Sequence, residues 1–446
     1  MYIMRFVCAL ALFKFNVMCS HGLCYSFEKL LWGLRHPIGI VPLPSYEQYV
    51  LVGEHRGIIM QMPLRSFASE NIHVFLNLTS KVLTSNAPAD ERGLLSFVLD
   101  PDFPQERSVY VCYSAPSKQA GMDHETTISR FAISGDVRSN TLKAVAEVVL
   151  LRVAQRNRRY NGGQLLFGPD RFLYVTTGDD ASNSSHRFDL DSFLGKVLRL
   201  DVRRRQHYAV PADNPFVGLG PPLLPEVYAY GFRNPWRCTI YSTEEGHDQV
   251  RLLCGDTGVE QPHGPEEEEV YLVEAGKRHG WHQGAPCSET CHRPAKGGLA
   301  AVDSDGPVFR YSRAGGAQAI VGGVVYGGRA LTALRGKFLY ADFVHGSLHA
   351  LNPVAEQSTW ISEDLCLKAC DGQRNSPAAF YVLAISTDAD DEPLILTTTD
   401  LRNNVPSGVV YRLKDDDCQG SQGSFHATAG IFGPAIFMVA LAFAAP

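Results

Sequence analysis

Several short stretches of this chain carry residue types able to bind or transform something. Tyr160-Asn161-Gly162-Gly163-Gln164 sets a phenol and two amides around a glycine pair. Beyond Thr177-Gly178 a loop carries Asp179, Asp180, Asp189 and Asp191, an acidic arm or simply a solvated acidic loop. Tyr230-Gly231-Phe232-Arg233-Asn234-Pro235-Trp236 offers a guanidinium beside an amide. Cys254-Gly255-Asp256-Thr257-Gly258 precedes the acidic run Glu266 to Glu269. The Gly258 carbonyl with Glu268 and Glu269 would give calcium the oxygen ligands it prefers; the alternative is an acidic, solvated lead into Val270-Tyr271-Leu272-Val273. Cys287 and Cys291, with His279, His282 and His292 nearby, have the composition of a zinc site. An oxidising compartment would make that cysteine pair a disulfide instead.

The compartment is legible at both ends. Arg5, the apolar run Phe6 to Phe13 and the small residues at Ser20-His21-Gly22 read as a signal peptide over residues 1–22. Of the eleven cysteines, Cys8 and Cys19 would leave with it. Asn77-Leu78-Thr79 and Asn183-Ser184-Ser185 are glycosylation sequons, which makes Asn77 and Asn183 candidate acceptors in an exported chain. Residues 416–446 read as a spacer and apolar tail: no charge follows Ala427, and small polar residues around Ser421 fit a GPI attachment signal, with a membrane-embedded tail as the alternative. A net charge of −6 with 20% charged residues gives no reason to expect a nucleic-acid partner. Arg156-Asn157-Arg158-Arg159 has the form of a proprotein-convertase site, but a cut inside an ordered blade argues against it, and a solvated strand end or turn is the plainer reading.

The elements that must position these groups are strands. Tyr49-Val50-Leu51-Val52, Val109-Tyr110-Val111-Cys112, Phe172-Leu173-Tyr174-Val175, Lys337-Phe338-Leu339-Tyr340 and Val409-Val410-Tyr411-Arg412 are short β-type runs set between Gly, Pro and Asp turns. No Pro/Ser linker or charge block interrupts residues 24–415, so these form one domain. So many strands exceed a single sandwich and suit radial repetition, at about 65 residues per four-stranded blade. The expected fold is all-β, a six-bladed propeller. Its ring would close by pairing a strand near Cys24 to Leu31 with the final Val409 to Leu413 strand, and Cys24 would bridge to Cys418 or to Cys112.

The Tyr160 to Asp170 stretch, the Asp-rich loop and the Gly231 to Pro235 frame resemble the soluble quinoprotein glucose/sorbosone dehydrogenases, and more closely their hedgehog-interacting-protein-like branch. The resemblance spans nearly the whole chain after the leader and implies the same six-bladed propeller. It further implies hydride transfer from a sugar to pyrroloquinoline quinone, with Ca²⁺ polarising the quinone and Arg233 and Asn234 touching it. The family's general base is a histidine, and Tyr160 stands at its position. Forming a phenolate at pH 7 costs roughly 4 kcal/mol against a reference pKa of about 10. Other cofactor positions are changed too: a family glutamine is matched by Glu91, a lysine is missing from Tyr340 to Val344, and two arginines are missing from Ala378 to Tyr381. Losing cations and gaining an acid works against an anionic quinone. In the animal relatives an acidic loop at the place of Asp179 to Asp191 reaches the hedgehog metal centre. The expectation is therefore a binding propeller with an extracellular protein or glycan ligand, hedgehog-type included. A Ca²⁺- and quinone-dependent aldose dehydrogenase is the alternative. Disulfides are expected at Cys238–Cys254, which matches cysteines of the relatives, and at Cys287–Cys291 and Cys366–Cys370.

Overall fold

A computed structural model describes residues 24–65, 72–87, 90–181, 185–204, 206–241, 250–258, 267–280, 306–313, 319–353, 360–367 and 380–415. The leader, Asn183, Cys287, Cys291, Cys370, Cys418, Ser421 and the apolar tail lie outside these residues. Six antiparallel sheets stand in a ring, each blade contributing its first strand to the centre. Blades one to five take their strands from one stretch of chain each: 37–77, 94–155, 162–230, 238–312 and 320–364. The sixth uses Tyr381–Thr387, Pro393–Thr398 and Gly408–Asp415, then Cys24–Leu34 from the other end of the chain. Tyr25 lies opposite Asp415 and Leu34 opposite Gly408, so antiparallel pairing closes the ring where the sequence placed the closure. A two-residue strand, Cys366–Leu367, adds parallel to the outside of Cys24–Leu34.

Alternation along the inner strands explains why the ring packs. Successive side chains on a strand point to opposite faces. Leu94 therefore enters the cluster between blades one and two, while Leu95 enters the one between two and three. Leu165 and Leu166 divide likewise around blade three, as do Leu252 and Leu253 around blade four. Among the described residues the buried apolar side chains form six clusters, one at each junction between neighbouring blades. The hydrophobic core is thus itself a ring.

One side chain crosses the middle. Arg237 immediately precedes the inner strand of blade four, Cys238–Tyr241, and its Nη2 donates to Ile38 O of blade one at 2.6 Å. Its Nη1 donates to Leu95 O of blade two and to Gln164 Oε1 of blade three, both at 3.0 Å. Burial lowers its pKa to about 10. Blade five approaches its backbone so closely that a Cβ on Gly322 would stand 2.0 Å from Arg237 O, which only glycine avoids.

The cysteines follow the ring. Cys238 and Cys254 face each other on the first two strands of blade four and are disulfide-bonded. Cys112 is a fully buried thiol in blade two, so the alternative Cys24–Cys112 bridge is not formed. Cys24 instead lies opposite Cys366, with their sulfurs 3.0 Å apart. Cys366 is itself disulfide-bonded.

Candidate functional site

The loops that enter the inner strands of blades two, three and four meet on one face of the ring and bring most of the candidate residues together. Tyr160 is held in the left-handed region, at φ 58°, where few side chains other than glycine settle. The Arg233 guanidinium lies over its ring, 4.6 Å from the centroid, and Arg233 Nη1 donates to Gly258 O at 2.6 Å. Asn234 turns inward: its Oδ1 accepts from Gly162 N at 2.9 Å and its Nδ2 reaches Glu91 Oε2 at 3.4 Å. The Glu91 carboxyl also accepts the backbone N–H of Asn161 at 3.2 Å, and burial raises its pKa. Tyr160, Arg233, Asn234, Glu91 and Gly258 thus form one connected set at the channel mouth.

Sequence reasoning missed the groups that hold this set. Asp256, at the end of Arg251–Thr257, accepts the backbone N–H of Arg233 at 3.0 Å and of Asn234 at 2.6 Å. Burial pushes its carboxyl up to about 8. Buried His124 lies 2.5 Å from Asn161 Oδ1 through Nε2 and 3.0 Å from Asp123 Oδ2 through Nδ1. The one available signal was a polar residue at a strand end within an apolar context; its partner, far along the chain, left no trace.

The acidic loop divides in two. Asp179 and Asp180 are buried, so neither is presented to a partner as the sequence suggested. The Asp180 carboxylate accepts the backbone N–H groups of Arg156 at 2.9 Å and Asn157 at 2.7 Å. Asp179 accepts Ala181 N at 3.0 Å, and burial raises it to about 6. Asp189 is half-buried and Asp191 exposed, which leaves these two as the outward-facing acids.

Gly258, Glu268 and Glu269 do not converge on one point. Glu268 and Glu269 are consecutive on Glu267–Val273 and point to opposite faces. Glu268 takes Arg313 at 2.6 Å and the N–H of Ile320 at 3.0 Å, whereas Glu269 takes the Tyr271 hydroxyl at 2.8 Å. The Gly258 carbonyl is already engaged by Arg233. Among the described residues no group of three or more His, Cys, Asp or Glu side chains is arranged to hold a metal ion. Asn77 is exposed, and its Oδ1 accepts from Thr79 Oγ1 at 2.8 Å.

A fold of this kind with this mouth defines a class, and the comparisons agree. The family profile described as glucose / sorbosone dehydrogenase matches residues 34–374, so the chain belongs to that family. It is 26% identical to human hedgehog-interacting protein over 408 residues, 88% of this chain and 53% of that protein. It is 28% identical to the HIPL2 protein of Arabidopsis thaliana over 360 residues, 70% of this chain and 48% of that one. The chain therefore spans about half the length of these relatives. Among solved structures it resembles the apo form of the soluble aldose sugar dehydrogenase from Escherichia coli, with a TM-score of 0.62 at 19% identity, covering 87% of this chain and 99% of that one. The pyrroloquinoline-quinone-bound aldose sugar dehydrogenase of Streptomyces coelicolor gives 0.59 at 19% identity, covering 87% and 97%. At that identity the likeness is one of fold.

Proposed function

We propose that this protein is an extracellular binding propeller of the hedgehog-interacting-protein-like type, with a quinone pocket that no longer suits its cofactor. The observation that carries this reading is the engagement of Arg233, which stacks on Tyr160 and donates to Gly258 O, while Asn234 is spent on Gly162 and Glu91. Pyrroloquinoline quinone bears several carboxylates. The mouth instead gathers carboxyls of Glu91, Asp179 and Asp256, all with pKa raised by burial. Placing a polyanion against them raises those pKa values further, so binding would have to draw protons onto the carboxyls in a poorly solvated site. Among the described residues no three His, Cys, Asp or Glu side chains gather to hold the calcium that would accompany the quinone. The residues present do not fit the group, and a tyrosine replaces the base.

A protein ligand is supported by the similarity to hedgehog-interacting protein and by the two outward acids, Asp189 and Asp191. The disulfide at Cys238–Cys254 and the exposed Asn77 sequon support an oxidising, exported setting. The test is a binding titration of the chain with a hedgehog-type signalling domain, beside an assay for aldose-dependent dye reduction with quinone and Ca²⁺ added. Saturable binding weakened about tenfold or more by Asp189→Asn with Asp191→Asn is the expected result, since close interfacial charge pairs couple by 1.5 kcal/mol or more. Sugar-dependent turnover that Arg233→Ala abolishes would overturn the reading in favour of the dehydrogenase.

A further inference from the structure

The basic run at 156–159 offers a site that the function above does not use. An endoproteolytic cut inside an ordered blade would break a sheet, but the structure shows that the run lies inside no blade. The last strand of blade two ends at Gln155 and the first of blade three begins at Gly162. Arg156, Asn157, Arg158 and Arg159 are all exposed in the connector between them. We infer that this connector is a processing site: a serine endoprotease that reads Arg-Xaa-Arg-Arg cuts between Arg159 and Tyr160, and the new Tyr160 ammonium then pairs with Glu91.

The topology tolerates that cut. All four strands of blade two precede it and all four of blade three follow it. Cys24–Leu34 lies on the N-terminal side of the cut, yet is paired along its length with Gly408–Asp415 on the other side. The junction between blades two and three keeps its cluster, from Leu95 and Ile128 to Leu165 and Leu198. The nicked protein would be two interlocked pieces with every sheet intact. A protease needs the connector extended, which requires releasing the Arg156 and Asn157 N–H groups from Asp180 and Glu91 N from Arg158 O. The four residues of the run hold no buried side chain, so the opening is local and not global unfolding, but it must also lift Tyr160 from under Arg233 and draw out buried Asn161.

The chemistry is hydrolysis. Water adds to the Arg159 carbonyl carbon, and the C–N bond to Tyr160 breaks. Arg159 keeps the added oxygen as a carboxylate, and the freed nitrogen takes a proton. An α-amino group has a pKa of about 7.7–8.0, so it is largely ammonium at neutral pH. The next backbone nitrogen, that of Asn161, donates to Glu91 Oε2 at 3.2 Å, so the new ammonium forms one residue from that carboxyl. The cut therefore sets a positive charge within reach of the Glu91 carboxyl, directly beside the Arg233–Tyr160 stack.

The test incubates the full folded chain with a purified endoprotease of this specificity and sequences the products. The expected result is a new N-terminus reading Tyr-Asn-Gly-Gly-Gln, fragments that stay together in gel filtration but part under reducing denaturation, and cleavage slowed about a hundredfold by Arg159→Ala. A folded chain left whole by amounts of protease that cut the urea-unfolded chain at this bond overturns the site. The pairing is read separately: Glu91→Gln should lower the melting temperature of nicked protein more than that of intact protein. Equal shifts would reject the role given to Glu91.

Discussion

Replacing Arg237 by leucine is expected to cost the fold about 3–5 kcal/mol, the range for breaking a buried charged network from one side. The guanidinium satisfies Ile38 O, Leu95 O and Gln164 Oε1, acceptors on three blades, from a fourth. Leucine fills part of the volume and satisfies none of them. The burial that lowers the pKa of Arg237 is an opposing cost, which the substitution removes, so the loss should fall toward the lower end of that range. Arg237→Lys separates charge from geometry, because an ammonium on a shorter reach lacks the planar fork that meets carbonyls in three directions. It should recover less than half of the loss. Equilibrium unfolding in guanidinium chloride measures both, and a leucine variant with the wild-type midpoint would show that the blades hold without this crossing.

The fold was legible because its signal is local and repeated. Tyr49 to Val52, Val109 to Cys112, Phe172 to Val175 and Lys337 to Tyr340 each announce a strand, and turn residues separate the runs. Ring closure followed from the two terminal strands. The grouping of Tyr160, Glu91, Arg233 and Asn234 came from family resemblance, and the structure places them in contact. Directions of side chains were not legible. Asp180 turns inward because its φ of 66°, with 49° at Ala181, bends the loop so that its carboxylate meets N–H groups of Arg156 and Asn157. No pattern of neighbours encodes that. Arg237 finds acceptors 142 and 199 residues away, and a basic residue after Trp236 reads the same whether it is solvated or central. The basic run proved a solvated connector, as read, but one between two blades and not within one: strand ends shift by a few residues in any sequence reading.

Lys196→Met is expected to loosen the acidic loop and to remove a rise in stability at alkaline pH. Lys196 opens the third strand of blade three, Lys196–Leu200, in which every residue is buried. Its Nζ donates to His186 O at 2.9 Å, Arg187 O at 3.1 Å and Leu194 O at 2.6 Å. Arg187 O also accepts Gly231 N at 2.9 Å, so the ammonium fastens the loop to the arm that carries Arg233. Methionine keeps the length and leaves these carbonyls without their donor, which should cost about 1–3 kcal/mol. Burial lowers the Lys196 pKa from 10.5 to about 7, against the pull of Asp189, Asp191 and Asp179. Between those two values the unfolded chain carries a proton that the folded chain lacks, so stability climbs as pH rises from about 7 and levels off near the unfolded value. Below 7 both states hold the proton and this contribution is flat. Methionine has nothing to titrate, so the variant should lose the climb while keeping whatever slope the carboxyls impose at lower pH. Amide exchange supplies the local readout: Gly195 and Gly231 N–H should exchange about tenfold faster or more in the variant, while the inner strand of blade one is unchanged. Unfolding midpoints from pH 7 to 10 that run parallel in the two proteins, with unaltered exchange at Gly231, would show that the loop is held by its own hydrogen bonds and that the buried lysine is a bystander.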